Sequence, residues 1–416
     1  MHLHFASLLK DVLNSISLLC LFLISTTNQA QNIRHYDGNV SLVDKGAIHA
    51  NFKLQYENSN NPIFHLYLNK NAFVKYIKIN NIRVAYSVED ATNMMVDLKK
   101  IVITNNFPKK FSLEIEYAYP LRRIENPTFK YNPNWIELNL YTGWYPFTLK
   151  DENYSYHVRI LHPKTYQAIS SGVVKTNGST TLLKNEDNYK DIPVVLSDDF
   201  QLFTSKNPHI QFYSIALTDV QIQDIKENSD SIHSFFETLF TKSDSRNLII
   251  AVNPFAHPMS YARKGFISLS LKNGFSDNDK RILAHEIGHL WWKNAPFGTY
   301  EEWLNEFFAE YSALKWLEQK LSKSEFDTLL TKYENAYKNP LKISAINPSS
   351  TDWYSIAYFK YPYVLYKLEQ KIGTKKMADF LQETYRNKIS NTQDLLQLLS
   401  RYADETTITE FRGEIY

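Results

Sequence analysis

The sequence predicts an α+β protein, in which an N-terminal antiparallel β-sandwich precedes a domain that is first mixed and then mostly helical. Three observations support this prediction. Between residues 47 and 217, short β-branched and aromatic runs alternate polar with apolar side chains, as half-buried strands do. After Asp219, apolar residues recur at three- and four-residue spacing, which indicates helices. The 416 residues are also enough for two domains that each bury a core.

Particular segments support each half of this prediction. Asn, Asp, Pro and Gly separate the strand candidates of the first half, which are residues 47–56, 73–79, 111–119, 135–141 and 154–161. In the second half, residues 220–240 and 277–293 have helical spacing, and two strand candidates, 247–252 and 265–271, lie between them. We therefore predict a β-sandwich domain at 31–205 and a second domain at 206–416.

The composition limits the chemistry that the chain can support. An aromatic content of 14% with only 11 glycines argues against disorder. A single cysteine excludes an intramolecular disulfide framework and a cysteine-rich zinc module, so any metal must be held by histidine and carboxylate side chains. The net charge of +2 provides no broad basic surface, so we expect no nucleic-acid partner.

The N-terminus predicts export. Residues 16–24 form a largely apolar run, which is too short for a bilayer span of about 20 residues and is typical of a secretory signal. We predict a signal peptide at 1–30, cleaved near Ala30, and a periplasmic or extracellular location; a retained amphipathic helix is the alternative. Leu18 and Leu19 before Cys20 argue against a lipid anchor. Because no other stretch approaches 18 apolar residues, we expect no stable membrane span in the mature chain.

A pair of histidines lies inside the second predicted helix. His285, Glu286 and His289 form the pattern H-E-x-x-H. At 3.6 residues per turn, side chains four positions apart lie about 40° apart around a helix, so both imidazoles can bind one metal ion. Glu286 lies beside that face, within reach of a water on the metal. A surface helix with two solvated histidines is the alternative, but the apolar neighbours Leu283 and Ile287 favour a buried helix.

Glu306 is the candidate third ligand. It follows His289 by 17 positions and lies in the next predicted helix, which starts around Tyr300. The side chains around Glu306 are otherwise apolar, and an acidic residue in such surroundings is destabilising unless it is paired or binds metal. A solvated charge at a helix start is the alternative, and it fits Glu301 and Glu302 better. Two histidines and a carboxylate with an open fourth position favour one Zn²⁺ ion.

Together these motifs resemble those of the aminopeptidase N-like gluzincin family of zinc metallopeptidases. The family has W-L-N-E-G-F-A after H-E-x-x-H, and residues 303–309 match it, with Phe307 in place of the Gly and a spacer that is two residues shorter. The resemblance implies a thermolysin-like catalytic domain in which Glu286 is the general base. The zinc ligands that it implies are His285, His289 and Glu306.

A stretch further along the chain resembles the Y-x-K-G segment of the same family. It starts at Tyr358 and has Tyr361 in place of the Gly. The resemblance implies that Tyr358 stabilises the oxyanion of a tetrahedral intermediate. Ordinary core packing is the alternative in a chain with 28 tyrosines. Glu310, one helical turn after Glu306, either orients a ligand histidine or is a solvated or salt-bridged side chain.

The substrate strand departs from the family pattern. The family's G-x-M-E-N segment supplies a Glu that binds the substrate's free amine, and here Ala262 replaces that Glu while Arg263 replaces the Asn. Two interpretations of Arg263 stay open, namely recognition of a substrate carboxylate or a solvated loop arginine. We expect the strand that begins at Gly265 to line the cleft and to pair with an extended substrate backbone.

These residues predict a secreted zinc metallopeptidase that hydrolyses peptide bonds in a peptide or protein substrate. Because Ala262 replaces the amine-binding Glu, an aminopeptidase and a related exopeptidase or endopeptidase all stay open. The alternative is a non-catalytic or weakly active peptide-binding protein on the same fold, suggested by the altered substrate strand and by Tyr361. Against it, the three ligands, Glu286 and Tyr358 are all present, and a binding role does not require Glu286.

Overall fold

The computed structural model describes residues 32–43, 46–57, 62–93, 96–123, 131–148, 154–244, 247–255, 259–271, 275–296, 299–346 and 352–416. The predicted signal peptide at 1–30 therefore lies outside the described residues. Among those that are described, no helix has the length and apolar character that a membrane span requires.

The first half of the described chain is rich in strands. They are β1 (Asn32–Ser41), β2 (Ala47–Glu57), β3 (Ile63–Asn69), β4 (Phe73–Ile79), β5 (Ile82–Arg83), β6 (Ser87–Asn93), β7 (Val96–Thr104), β8 (Lys110–Pro120), β9 (Ile136–Leu138), β10 (Tyr154–Leu161), β11 (Gln167–Ser170), β12 (Val173–Asn177), β13 (Thr180–Tyr189) and β14 (Val194–Ser197). Short 3₁₀ turns at Leu121–Arg123 and Leu140–Thr142 lie between them.

Two of the sheets in this half share one core, as a sandwich requires. The larger has the strand order β12-β13-β10-β1-β2-β8-β4-β5, and the smaller has β3-β7-β6. Phe52 of β2, Leu66 of β3 and Ile101 of β7 are fully buried in the same apolar cluster. Along β2 and β8 buried and accessible positions alternate, which confirms the predicted pattern of half-buried strands. The predicted fold class is confirmed.

One pair of strands differs from the predicted antiparallel arrangement. β1 pairs with β10 in parallel, whereas the other strand pairs of the larger sheet are antiparallel. β1 is the first described strand and β10 lies about a hundred residues later. A parallel pair needs a long crossover connection, and the intervening strands provide it.

The second half is built around a mixed sheet. Its strands are β15 (Gln201–Thr204), β16 (Ile210–Ser214), β17 (Leu248–Asn253), β18 (Tyr261–Arg263) and β19 (Phe266–Ser270), in the order β15-β16-β17-β19-β18. β17 and β19 correspond to the two strands predicted between the helices. β15 lies slightly before the predicted domain boundary at 205, yet it pairs with β16.

In the order of the chain, one helix lies between β16 and β17 and the others follow β19. They are α1 (Asp219–Phe240), α2 (Asp277–Gly288), α3 (Trp303–Lys320), α4 (Lys323–Tyr337), α5 (Asp352–Ser355), α6 (Tyr361–Ile372), α7 (Thr374–Arg386), α8 (Thr392–Leu399) and α9 (Glu405–Ile415). A π-helical segment, Ile356–Lys360, separates α5 from α6, and 3₁₀ turns form at Tyr300–Glu302 and Ile343–Ala345.

Buried polar contacts join the two halves close to the edge of the second sheet. Glu137 of β9 accepts a hydrogen bond from Asn253 Nδ2 at 2.8 Å and another from Ser268 Oγ at 2.6 Å. β9 belongs to a third sheet, with the order β11-β14-β9. The first half thus contacts β17 and β19, and β19 is the strand that pairs with the edge strand β18.

Candidate metal centre

Helix α2 starts where its sequence predicts and ends earlier. Ser276 and Asp279 form a capping box at its N-terminus. The prediction extended the helix to residue 293, but the regular part ends at Gly288. Leu290 N–H donates to Ile287 O and Trp291 N–H donates to Gly288 O, both at 3.0 Å, so the chain tightens into i→i+3 turns. His289 is the first residue past the helix, with helical dihedral angles.

Close packing of α2 on α3 brings Glu306 towards the histidines. A Cβ added to Gly288 would lie 3.2 Å from Ala309 Cα, so the absence of a side chain at this position lets the helices approach. Asn305 fixes the connection between them, because its Oδ1 accepts from Ala295 N–H at 3.0 Å and its Nδ2 donates to Ala295 O at 2.9 Å. Sequence reasoning missed Asn305, although a polar residue in an otherwise apolar helix was a usable signal.

The three predicted ligands converge. His285 Nε2 and His289 Nε2 are 3.1 Å apart, Glu306 Oε2 lies 3.4 Å from the first nitrogen, and Glu306 Oε1 lies 3.7 Å from the second. Ligand atoms bound tetrahedrally at 2.0–2.1 Å from zinc lie about 3.3 Å from one another. The donor set and its spacing therefore fit one zinc ion with an open fourth position.

Hydrogen bonds fix which nitrogen each histidine offers. His285 Nδ1 lies 3.0 Å from Glu310 Oε2, and His289 Nδ1 lies 3.0 Å from the Trp292 carbonyl oxygen. Both partners are acceptors, so both Nδ1 atoms donate. This leaves the Nε2 lone pair of each ring directed at the metal position.

Glu310 is the partner that anchors His285. The carboxylate is fully buried, and its Oε1 accepts hydrogen bonds from Arg281 Nη1 at 2.5 Å and from Tyr333 OH at 2.6 Å. Burial acts to raise the pKa of Glu310, but the charge of Arg281 and the contact with His285 outweigh it and bring the pKa to about 2. Glu310 therefore stays ionised and holds His285 in one orientation.

Replacing Glu310 with glutamine should reduce zinc affinity by about 10–100-fold, because an outer partner of a ligand histidine typically contributes that much. Competition with a chromogenic chelator measures the affinity. Tyr333→Phe removes one of the donors to Glu310 and leaves the carboxylate in place, so its effect should be smaller. Unchanged zinc affinity in Glu310→Gln would contradict a positioning role.

The two histidines differ in their electrostatics. Burial disfavours the charged form of both, but for His285 the hydrogen bonds with Glu306 and Glu310 outweigh it and raise the pKa to about 10. For His289 burial dominates and lowers the pKa to about 4. Burial acts to raise the pKa of Glu306, yet the charges of both histidines and the hydrogen bond from Tyr358 bring it to about 2. Zinc binding must therefore displace a proton from His285.

Glu286 lies at the site without being one of the three converging ligands. Its side chain is buried. Burial raises the pKa of Glu286 to about 7; the charges of Glu306 and Glu310 add to this shift, whereas those of His285 and Arg263 oppose it. A carboxylate with a pKa near neutrality suits proton transfer at physiological pH.

Tyr358 lies on the π-helical segment, and π-bulges frequently occur at functional sites. Its hydroxyl donates to Glu306 Oε2 at 2.8 Å, and its ring centroid lies 5.1 Å from that of His285. The ring also stacks on Tyr354 at 4.9 Å. Burial raises the pKa of Tyr358 well above its usual value, so the phenol keeps its proton and remains a donor.

The two aromatic departures from the family pattern contact each other. The rings of Phe307 and Tyr361 stack with centroids 4.5 Å apart and an interplanar angle of 12°. Tyr361 OH also accepts from Ile343 N–H at 2.6 Å and donates to the Glu414 carbonyl at 2.8 Å. The Phe307 and Tyr361 side chains pack against each other, and Glu306 still lies 3.4 Å from His285 Nε2 and 3.7 Å from His289 Nε2.

The structure places the two remaining candidates on the hairpin of β18 and β19. Arg263 is not a solvated loop arginine, because its side chain is only 12% exposed and its Nε donates to Asp191 Oδ2 at 2.9 Å. Gly265 lies in the turn with a φ of +72°, and its carbonyl accepts from Ile249 N–H at 3.0 Å. That carbonyl is therefore occupied, and the role visible for Gly265 is conformational. The prediction that the strand after Gly265 pairs with a substrate backbone is wrong, because β19 is paired with β17 on one side and with β18 on the other.

Comparison with known proteins gives a match in structure alone. No family model and no curated protein matches the sequence. The M1 zinc metallopeptidase of Deinococcus radiodurans, in a mutant form bound to a Tyr-Ser-Ala substrate, superposes with a TM-score of 0.68 at 16% identity, over 93% of this chain and 94% of that one. Leukotriene A4 hydrolase of Saccharomyces cerevisiae superposes with a TM-score of 0.69 at 15% identity, over 94% of this chain and 68% of that one. At these identities the likeness establishes the fold, and the fold of this chain is that of the M1 zinc metallopeptidases.

Proposed function

We propose that this chain is an exported zinc metallopeptidase that hydrolyses peptide bonds. The observation that carries the proposal is the convergence of a carboxylate and two histidine nitrogens, with Glu286 and Tyr358 beside them. The fold shared with zinc metallopeptidases supports it, and the apolar run at residues 16–24 motivates the export.

The proposed roles follow from the chemistry of each side chain. A zinc ion held by His285, His289 and Glu306 would supply a Lewis acid and lower the pKa of a bound water. Glu286 in its ionised form accepts the proton of the attacking water and later donates it to the leaving amine. Tyr358 O–H donates to the oxygen on which negative charge develops, which replaces its contact with Glu306.

The edge strand of the second sheet suggests how a peptide would bind. Within the described ranges β18 pairs with β19 and lies at the end of the strand order. An extended peptide can add to such an edge through main-chain hydrogen bonds. The tripeptide bound to the Deinococcus radiodurans enzyme is consistent with a peptide substrate for this fold.

Digestion of matched peptides tests the proposal. Zinc-loaded protein is incubated with peptides that carry either a free or an acetylated N-terminus, with and without a chelator. Chelator-sensitive cleavage of the free peptides alone would identify an aminopeptidase, and cleavage of both would identify another exopeptidase or an endopeptidase. A zinc-loaded chain that cleaves neither set would instead favour the peptide-binding alternative.

The pKa of Glu286 gives a pH prediction. Only the ionised carboxylate accepts a proton, so kcat/KM should fall as pH drops through the pKa of Glu286. That pKa is about 7 in the surroundings described, and the positive charge of zinc lowers it further, so the midpoint of the acid limb should lie at or below pH 7. A pH–rate profile with its acid midpoint above pH 8 would contradict this assignment.

A further inference from the structure

Arg263 lies beside the proposed catalytic residues. It ends the edge strand β18, in register with Phe266 of β19. β18 also packs against α2, the helix that carries Glu286, and the charge of Arg263 acts to lower the pKa of Glu286, against the larger effect of burial. A cation therefore lies on the edge strand beside the candidate site, at the position where the resembling family has the residue next to its amine-binding carboxylate.

Contacts on several sides hold the guanidinium in one orientation. Its central carbon lies 4.8 Å from the ring centroid of Tyr261 and 5.4 Å from that of Tyr141. Its Nε edge donates to Asp191, and Nη1 donates to the Ala262 carbonyl at 2.8 Å. A side chain that is already immobilised loses little conformational entropy when it binds a ligand.

Asp191 anchors Arg263 through one edge of the guanidinium. The carboxylate is fully buried, and its Oδ1 accepts from Leu140 N–H at 2.8 Å, from Ile192 N–H at 2.7 Å and from Tyr145 OH at 3.2 Å. These donors hold the carboxylate in one position. Asp191 holds the Nε edge of the guanidinium, so it acts as a positioning residue.

The donor count leaves room for a ligand. A guanidinium has five N–H groups arranged to match a carboxylate. Asp191 and Ala262 each take one, and a hydrogen bond with Tyr141 takes a third. Beyond these contacts of the described residues, the terminal nitrogens carry further N–H groups, and guanidinium groups form strong, often paired hydrogen bonds with a carboxylate.

We propose that Arg263 binds a carboxylate of the peptide substrate, either the C-terminal carboxylate or an acidic side chain close to the scissile bond. This inference rests on the proposed peptidase function and names its substrate class. A positive group at this position would also repel a free amine, so the same residue disfavours recognition of the N-terminus.

A purely structural role for Arg263 makes a different prediction. The Asp191–Arg263 pair joins the first half of the chain to β18, so removing it should destabilise the protein in either case. A structural clamp would not distinguish between a substrate acid and the corresponding amide. Discrimination between those two is therefore the informative readout.

The experiment measures binding in a chain that does not turn over. Zinc-loaded Glu286→Gln protein is titrated calorimetrically with N-acetylated peptides that end in a carboxylate or an amide, and with amidated peptides that contain Asp or Asn. Loss of a hydrogen bond to a charged group should weaken binding by about 10–100-fold for the neutral member of one pair. The pair that responds identifies whether the main chain or a side chain supplies the carboxylate.

Further variants assign the preference to Arg263. Arg263→Gln should abolish the acid preference, Arg263→Lys should retain part of it, and Arg159→Gln, at an exposed arginine of the first half, should leave it unchanged. Equal affinity for acid and amide in both pairs overturns the inference, and this comparison holds even if Arg263→Gln fails to fold. Failure of the proposed function shows separately, as absence of cleavage by the zinc-loaded natural chain.

Discussion

Replacing Glu286 with glutamine is expected to reduce kcat by about 10²–10⁴-fold, the range that a general base contributes. The amide has nearly the same shape as the carboxylate but cannot accept the proton of the attacking water. Because Glu286 is not among the three converging ligands, zinc content should remain at that of the natural chain. Peptide hydrolysis and elemental analysis on the same sample measure both quantities.

A second substitution in the same helix serves as the control. Asp277 lies in the first turn of α2 and is exposed, so Asp277→Asn makes the same chemical change away from the site. Its activity and zinc content should both match those of the natural chain. Natural activity in Glu286→Gln would remove Glu286 from the mechanism, and loss of zinc in that variant would show that its role is structural.

Glu306→Gln is expected to abolish zinc binding. The substitution replaces an anionic ligand by a neutral amide, and even partners outside the ligand set affect zinc affinity by about 10–100-fold, so a larger loss is expected here. It also replaces the charged acceptor of the Tyr358 hydroxyl by a neutral one. Hydrolysis should disappear together with the metal, in contrast to Glu286→Gln, where the metal stays.

Thermal unfolding gives an independent measurement of the loss of zinc binding in Glu306→Gln. A metal that binds only the folded chain raises Tm in proportion to the logarithm of its concentration over Kd. This zinc-dependent rise should be absent in Glu306→Gln and present in Glu318→Gln, near the other end of α3. A natural zinc-dependent rise of Tm in Glu306→Gln would contradict its assignment as a ligand.

The centre of the candidate site could be predicted because its signals are local. Two histidines four positions apart in a helix share a face, whatever the rest of the chain does. Glu306 could be predicted because an acidic residue among apolar neighbours in a helix requires a partner. The strands of the first half could also be predicted, because alternation of polar and apolar residues indicates a strand with one buried face.

Other features depend on contacts between distant segments and therefore leave no local pattern. Asp191 and Arg263 are 72 positions apart, and nothing in either neighbourhood indicates the pairing. The parallel pairing of β1 with β10 is of the same kind. The early end of α2 was missed for a different reason, because the apolar residues after Gly288 continue the helical spacing although the backbone has already tightened.

Because Phe307 stacks on Tyr361, the effect of a substitution at either position depends on which residue occupies the other. Replacing Phe307 with Gly alone would open a cavity against the Tyr361 ring, and removal of a buried aromatic side chain costs about 3–5 kcal/mol. Replacing Tyr361 with Gly alone would leave the Phe307 ring without its stacking partner. Since both losses concern one contact, the double substitution should cost less than the sum of the single ones. The two positions are therefore energetically coupled. Substituting one of them without the other would destabilise α3, the helix that carries Glu306.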